Sequence, residues 1–189
     1  MTLDLDFVRS QFPAFSEPSL QGFAHFENAG GSYACGQAIE SLDRFYRQTK
    51  VQPYHHFAPS RLGGEQMDRA YERMAAWLGV GADEVHFGPS TSANTYVLAQ
   101  ALRQELAPGD EVIVTNQDHE ANVGAWSRLE DSGITVREWQ VDPNDCELHL
   151  SGLKALLSER TRAVAFTHCS NIVGSINPVR EICDLVHEA

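Results

Sequence analysis

Three consecutive hydroxyl residues, Ser90, Thr91 and Ser92, stand where one chain pattern gives way to another. Residues 85–87 (VHF) read as a short buried strand, and Gly88 and Pro89 break it. A helical pattern follows, with Val97, Leu98, Ala101, Leu102 and Leu106 on one face. The first turn of a helix leaves backbone N–H groups without partners and carries the positive end of the helix dipole. Hydroxyls placed there make a cradle for a phosphate, and they serve equally well as a plain N-cap. Two more polar clusters follow apolar runs: His119 within DHEANVGAW, and His168, Cys169, Ser170 and Asn171 within HCSNIVGSINPV. A fourth group, Asn28, Ala29, Gly30 and Gly31, follows a short strand pattern at 23–26. Small adjacent residues there let backbone approach a ligand closely, or simply make a turn.

The elements that must hold these groups alternate. Residues 4–12 read as an amphipathic helix stopped by Pro13, so that 1–20 form an N-terminal helix and loop, with 21–189 the remaining domain. Residues 36–48 carry Ile39, Leu42, Phe45 and Tyr46 at helical spacing, a scaffold helix with one buried face. Residues 49–64 show no period but hold Pro53, Tyr54, His55, His56, Pro59 and Arg61, a content rich enough for a functional loop. From 65 to 78, Met67, Ala70, Tyr71, Met74, Ala75 and Leu78 follow the i, i+3, i+4, i+7 rule, and Gly79 ends that helix. After the turn at Pro108–Asp110 come a strand at 111–115, a helix that stops at Gly133 and a strand at 134–141. A helix at 150–159, a strand at 162–167 and a last helix at 179–189, entered through Pro178, complete the pattern. Such alternation predicts an α/β fold, three-layer α/β/α with a mostly parallel sheet. Ligands in such sheets sit at the carboxyl ends of strands. Ser90 to Ser92, His119 and 168–171 all fall at such ends, and converge on one rim.

Composition narrows the function. A chain of 189 residues with a formal net charge of -12 has no Lys/Arg cluster able to neutralise a row of phosphates, so neither nucleic acid nor an acidic membrane is expected as partner. The start, MTLDLDFVRSQF, has acidic residues where a signal peptide needs a basic one, and no apolar run is long enough to span a bilayer; a cytoplasmic protein is expected. Cys35, Cys146, Cys169 and Cys183 are scattered, which favours reduced thiols over disulfides or zinc. His55 and His56 are adjacent, an arrangement that rarely converges on one ion, so no metal is expected.

Several motifs fail. Gly79 and Gly81 precede a strand pattern and no third glycine follows, against a dinucleotide fingerprint. Neither Lys50 nor Lys154 follows a glycine, against a phosphate-binding loop of the nucleotide type, and Val123 stands where a zinc-protease helix needs its second histidine. Gly88, Ser90 and Ser92 partly match the nucleophile elbow of serine hydrolases, with Ser90 as nucleophile, His168 as base and Asp142 as its orienter. The last glycine of that motif is missing.

Over nearly its whole length the chain resembles the class V aminotransferases, specifically their cysteine desulfurase-like branch of pyridoxal phosphate enzymes. FENAGGSY is similar to the family's DNAA segment and FGPSTSANTYVLA to its phosphate-binding GTTEAIN segment. DHEANVGAW is similar to EHHANIVPW, and HCSNIVGSINPV to HVSNVLGTINPV. The resemblance implies a fold-type I large domain with pyridoxal 5'-phosphate as cofactor. Thr91 and Ser92, with Ser90 beside them, would hold its phosphate, His119 would stack on its ring, and Asn171 would bond its phenolic oxygen. Asn28, Ala29, Gly30 and Gly31 would line the substrate side, with Arg61 a further candidate there. A small amino acid is the implied substrate and a homodimer the implied assembly. The family's Schiff-base lysine, ring-nitrogen aspartate and persulfide cysteine lie on segments later than residue 189. The sequence therefore corresponds to an N-terminal half, catalytically incomplete by itself. Ala93 stands where the family often has glutamate, Ser90 where it has glycine, and Cys169 where it has valine. The alternative is an α/β interaction module that kept the fold and lost the chemistry.

Overall fold

The computed structural model describes residues 3–189, and the chain divides after Phe87 into two units. Met1 and Thr2, part of the expected 1–20 segment, lie outside the described residues. In the first unit, α1 (Leu5–Ser10) begins at Asp4, whose carboxylate accepts the Phe7 N–H at 3.0 Å. Next, α2 (Gly36–Arg44) runs on into one π-helical turn, Phe45–Thr49, and α3 (Ala58–Leu78) closes at Gly79 in the left-handed conformation, φ 74°.

Three expectations fail in this unit. The third helix starts at Ala58 rather than at residue 65, with Pro59 in its first turn, where a missing N–H is no loss. Much of the expected loop, Arg61 included, is therefore helix. Residues 23–26 and 85–87 form no strand: a short apolar run adopts one only when an edge is there to pair with, and neither joins the sheet. The expected buried face of α2 is open, Ile39 and Leu42 being 48% and 57% exposed.

The second unit is the sandwich. Here α4 (Thr91–Leu102) leads through a 3-10 turn to β1 (Glu111–Thr115); α5 (Gly124–Ser127), flanked by 3-10 turns, leads to β2 (Thr135–Trp139). Then α6 (Leu150–Leu156) leads to β3 (Thr161–Val164), and α7 (Val179–His187) follows. The strands form one parallel sheet in the order β2-β1-β3, with Val112 beside Val136 and Ala163.

The side-chain period of two splits β1 between two cores. Val112 and Val114 face Ala99 of α4, Ala125 and Trp126 of α5, and Leu129; Ile113 faces the opposite way, toward Leu153 of α6 and Ile182 of α7. This is the expected three-layer α/β/α arrangement with a parallel sheet. The crossover from β1 to β2 lies on one face and that from β2 to β3 on the other, so the chain leaves β1 and β3 in different directions at their carboxyl ends. A crevice opens where neighbouring strands do this. The buried face of α4 is rotated from the expected one: Thr95 and Ala99 are buried, whereas Val97 and Leu98 are 66% and 59% exposed. Small side chains at 95 and 99 let the helix axis approach the sheet.

Candidate active site

At the entrance to α4, Ser90 is fully extended (φ -166°) and its Oγ accepts the Ala93 N–H at 3.2 Å, which makes it the N-cap. The Asn94 N–H goes to the Ser90 carbonyl at 3.0 Å. The hydroxyls of Thr91 and Ser92 and their N–H groups remain exposed at the positive end of the helix. The Asn94 side-chain amide occupies the place a Cβ at Gly88 would take, so a larger residue there would have to move that side chain.

His119 opens the 3-10 turn Glu120–Asn122, and its Nδ1 accepts the Ala121 N–H at 3.0 Å. The residue before it, Asp118, binds on both sides. One carboxylate oxygen accepts the Thr115 hydroxyl at the end of β1 and the Thr167 N–H beyond β3 at 3.1 Å; the other accepts the Asn122 side-chain amide at 2.7 Å. A cavity of about 400 Å³ results, lined by Thr91, Ser92, Asp118, His119, Ala121, Asn122 and Thr167. A second, of about 500 Å³, lies against Ser90, Tyr96, Glu120 and Arg128 and shares Ser92 and His119 with the first. Both volumes are in the range of small-molecule sites.

The hydroxyl cluster and His119 thus line one cavity; of the third expected cluster, His168 to Asn171, no residue lines either cavity, and only the preceding Thr167 does. Asn171 lines neither cavity. It lies exposed in the turn that follows Thr167, which is held from below by Ser170: Ser170 Oγ accepts the Ile172 and Val173 N–H groups, each at 3.3 Å, and donates to the Gln117 carbonyl at 3.4 Å. Asn28, Ala29, Gly30 and Gly31 belong to the first unit, where the Gly30 and Gly31 N–H groups turn back onto the Glu27 carbonyl and His25 Nε2 meets the Gly31 carbonyl at 3.0 Å. Arg61, in the first turn of α3, donates to the His56 carbonyl.

Asp118, Asn122, Thr167 and, beneath them, Gln117 and Asn177 escaped the sequence reading. The one signal that could have found them is the run of polar residues directly after each buried strand.

The hydrolase arrangement is not assembled. Ser90 Oγ caps its own helix, and Asp142 accepts both the N–H and the side-chain amide of Asn144 at 2.8 and 2.7 Å, while the histidine near it is His149, 3.9 Å away, not His168. Those Asn144 bonds, the backbone one first, hold the Asp142 carboxyl below its ordinary range. Lys50 and Lys154 line neither cavity; Lys154 is exposed on α6. The four cysteines are free. Among the described residues no cluster of metal-ligating side chains occurs, and no helix is long and apolar enough to cross a membrane.

Residues 24–189 match the family model described as aminotransferase class-V. The chain belongs to this family. Among curated relatives, the aminotransferase-like protein FGM3 of Gibberella zeae is 37% identical over 99% of this chain and 46% of its own length. The cysteine desulfurase-like protein ustD of Aspergillus flavus is 34% identical over 98% and 42%. The chain thus spans about half the length of the curated relatives it matches. Among solved structures, the apo cysteine desulfurase from Thermococcus onnurineus NA1 matches all of this chain and 46% of its own (TM-score 0.85, 21% identity). A K223A mutant of C-DES with glycine covalently linked to its PLP cofactor matches 96% and 46% (TM-score 0.80, 18% identity). At these identities the likeness is one of fold: this class V chain shares the pyridoxal phosphate enzymes' fold-type I architecture.

Proposed function

We propose that this chain is the N-terminal part of a pyridoxal phosphate-dependent transferase or lyase of the cysteine desulfurase-like branch, acting as a homodimer on a small amino acid in the cytoplasm. The observation that carries the reading is the single cavity shared by Thr91, Ser92 and His119, between the N-terminus of α4 and the carboxyl ends of β1 and β3. The donor set fits the cofactor. A dianionic phosphate suits the hydroxyls and free helical N–H groups of Thr91 and Ser92, and a planar imidazole fixed by a backbone bond suits the face of an aromatic ring. Pyridoxal phosphate, when bound, supplies an electron sink that labilises bonds at the substrate's α- or β-carbon.

The chain's own residues bind and orient. Thr91 and Ser92 would anchor the phosphate, His119 would cover one ring face, and Asn171 would donate to the phenolic oxygen. Asn171, which lines neither cavity, would reach that oxygen from the turn held by Ser170. On this reading the covalent lysine and the ring-nitrogen aspartate would lie on segments beyond residue 189.

The test is reconstitution. Full-length protein incubated with pyridoxal phosphate and dialysed is expected to retain a visible absorbance band, and to lose it when Thr91 and Ser92 are both replaced by alanine. A protein that stays colourless overturns the reading. Sulfide, keto-acid and alanine assays on the coloured protein then separate desulfuration from transamination and elimination.

A further inference from the structure

We propose that Ala121 and Asp118 are positioning residues that act through His119, fixing it in one tautomer so that an Nε2–H donor is the group it presents to a ligand. The inference deepens the proposed function, but its primary readout does not depend on it. The Ala121 N–H is a backbone donor and cannot accept. His119 Nδ1, 3.0 Å from it, must therefore carry the lone pair, and the neutral ring must carry its proton on Nε2.

The bond fixes the tautomer of this exposed ring for as long as the turn that offers the donor keeps its place, and the geometry sees to that. The 3-10 turn that holds the Ala121 N–H is tied down by the Asn122 side chain on Asp118 at 2.7 Å. Asp118 is itself bound to Thr115 of β1 and to the Thr167 N–H beyond β3. One carboxylate thus joins two strand ends to the turn that carries the imidazole. It accepts three donors, a set that an asparagine amide with its single acceptor oxygen satisfies only if Asn122 turns its own amide over.

The chemical consequence is specific. An atom seated opposite Nε2 has to be an acceptor, such as a carboxylate or phenolate oxygen. In this arrangement His119 cannot accept a proton at Nε2 unless it first loses the one it holds. It contributes a fixed donor and a flat face, and any base in the reaction has to come from elsewhere.

The experiment uses full-length protein labelled with ¹⁵N-histidine, observed by ring-nitrogen NMR above the ordinary histidine titration range, with His119 assigned by the loss of its signals in His119→Gln. The expected result is one tautomer, protonated at Nε2 and unprotonated at Nδ1, with a scalar coupling between the Ala121 amide and Nδ1. A ring protonated at Nδ1, an averaged pair of tautomers or the absence of that coupling overturns the proposal, and the coupling to the Ala121 amide assigns the ring a second time should His119→Gln fail to fold. Ala121→Pro removes the donor within the first turn, where no backbone carbonyl pairs with it, and should give the averaged pair. In protein loaded with pyridoxal phosphate, Asp118→Asn should lose most of the visible circular dichroism of the bound cofactor. An unchanged band removes Asp118 from the proposal. A wild-type protein that takes up no cofactor overturns the proposed function and leaves the tautomer result standing.

Discussion

The side-chain amide of Asn177 donates to the side-chain carbonyl of Gln117 at 2.8 Å, joining the segment after β1 to the approach to α7. Both residues are buried, at 2% and 4% exposure. Asn177 also donates to the Thr167 carbonyl at 2.7 Å, and Gln117 donates to the Ser175 hydroxyl at 3.0 Å and to the Cys146 carbonyl at 2.9 Å. Asn177→Leu leaves Gln117 Oε1 and the Thr167 carbonyl without donors inside the core. An unmatched buried polar group costs about 1–3 kcal/mol, so the variant should lower unfolding free energy by that order in denaturant titration. Amides of residues 168–177 should then exchange faster than those of β1, because the lost bonds anchor that turn and not the sheet.

Ser90 and its two neighbours separate by experiment. Ser90→Ala removes the Oγ that accepts the Ala93 N–H, and losing such a cap costs roughly 0.5–2 kcal/mol of stability. Thr91→Ala and Ser92→Ala should leave the melt nearly unchanged and weaken pyridoxal phosphate uptake instead, each by about 1.5–3 kcal/mol for a bond to a charged group. Fluorescence titration of the full-length protein with the cofactor, alongside thermal denaturation, gives the two readouts. A Ser90 variant that loses cofactor affinity as strongly as the Thr91 variant would place all three hydroxyls on the phosphate.

The sheet and its order of helices were readable because β1 is a dense β-branched run and its neighbours are spaced as crossovers require. The face of α4 was not readable. Its apolar residues are not confined to one face, and a stripe at 97, 98, 101 and 102 is as apolar as the true one through Thr95 and Ala99; the sheet took the smaller residues. Residues 23–26 and 85–87 look like strands because their composition suits one, but pairing is a tertiary fact. The start of α3 was hidden by Pro59 and the glycines at 63 and 64, which lower helix propensity without forbidding a helix. At the site, His119 and the hydroxyls stood out by type, whereas Asp118 acts through long-range bonds to Thr167 and short ones to Thr115 and Asn122, which no local pattern encodes.

Acid should loosen the loop between β2 and α6 before it unfolds the sheet. The Asn144 bonds lower the Asp142 pKa in the folded chain, so the ionised form is favoured by folding. That contribution is complete above the unfolded value of about 3.9 and is lost as pH falls through the depressed folded value. Trp139, whose Nε1 donates to the His149 carbonyl at 3.1 Å at the far end of this loop, is the natural reporter. Acid titration of its fluorescence should show a step that is absent in Asp142→Asn; an identical curve in the variant would remove Asp142 as the cause.

In the first unit the alkaline side is informative. Tyr54 adopts a left-handed conformation, φ 66°, that lays its ring over Gly64, and its hydroxyl donates to Asp68 at 2.8 Å. That bond raises the phenol pKa above its ordinary value near 10. Folding therefore favours the protonated phenol, a contribution fully present below about pH 10 and lost as pH rises through the raised folded value. A Cβ at residue 64 would lie 2.7 Å from Tyr54 Cδ1 and 2.8 Å from Cε1, so Gly64→Ala must push the ring away from Asp68. Ultraviolet titration should then show one tyrosine that ionises late in the wild type and returns to the ordinary range in both Gly64→Ala and Asp68→Asn. Only the first variant should also lower the melting temperature appreciably, since it alone displaces the ring. A late tyrosine that persists in Asp68→Asn would mean that the carboxylate is not what holds the proton.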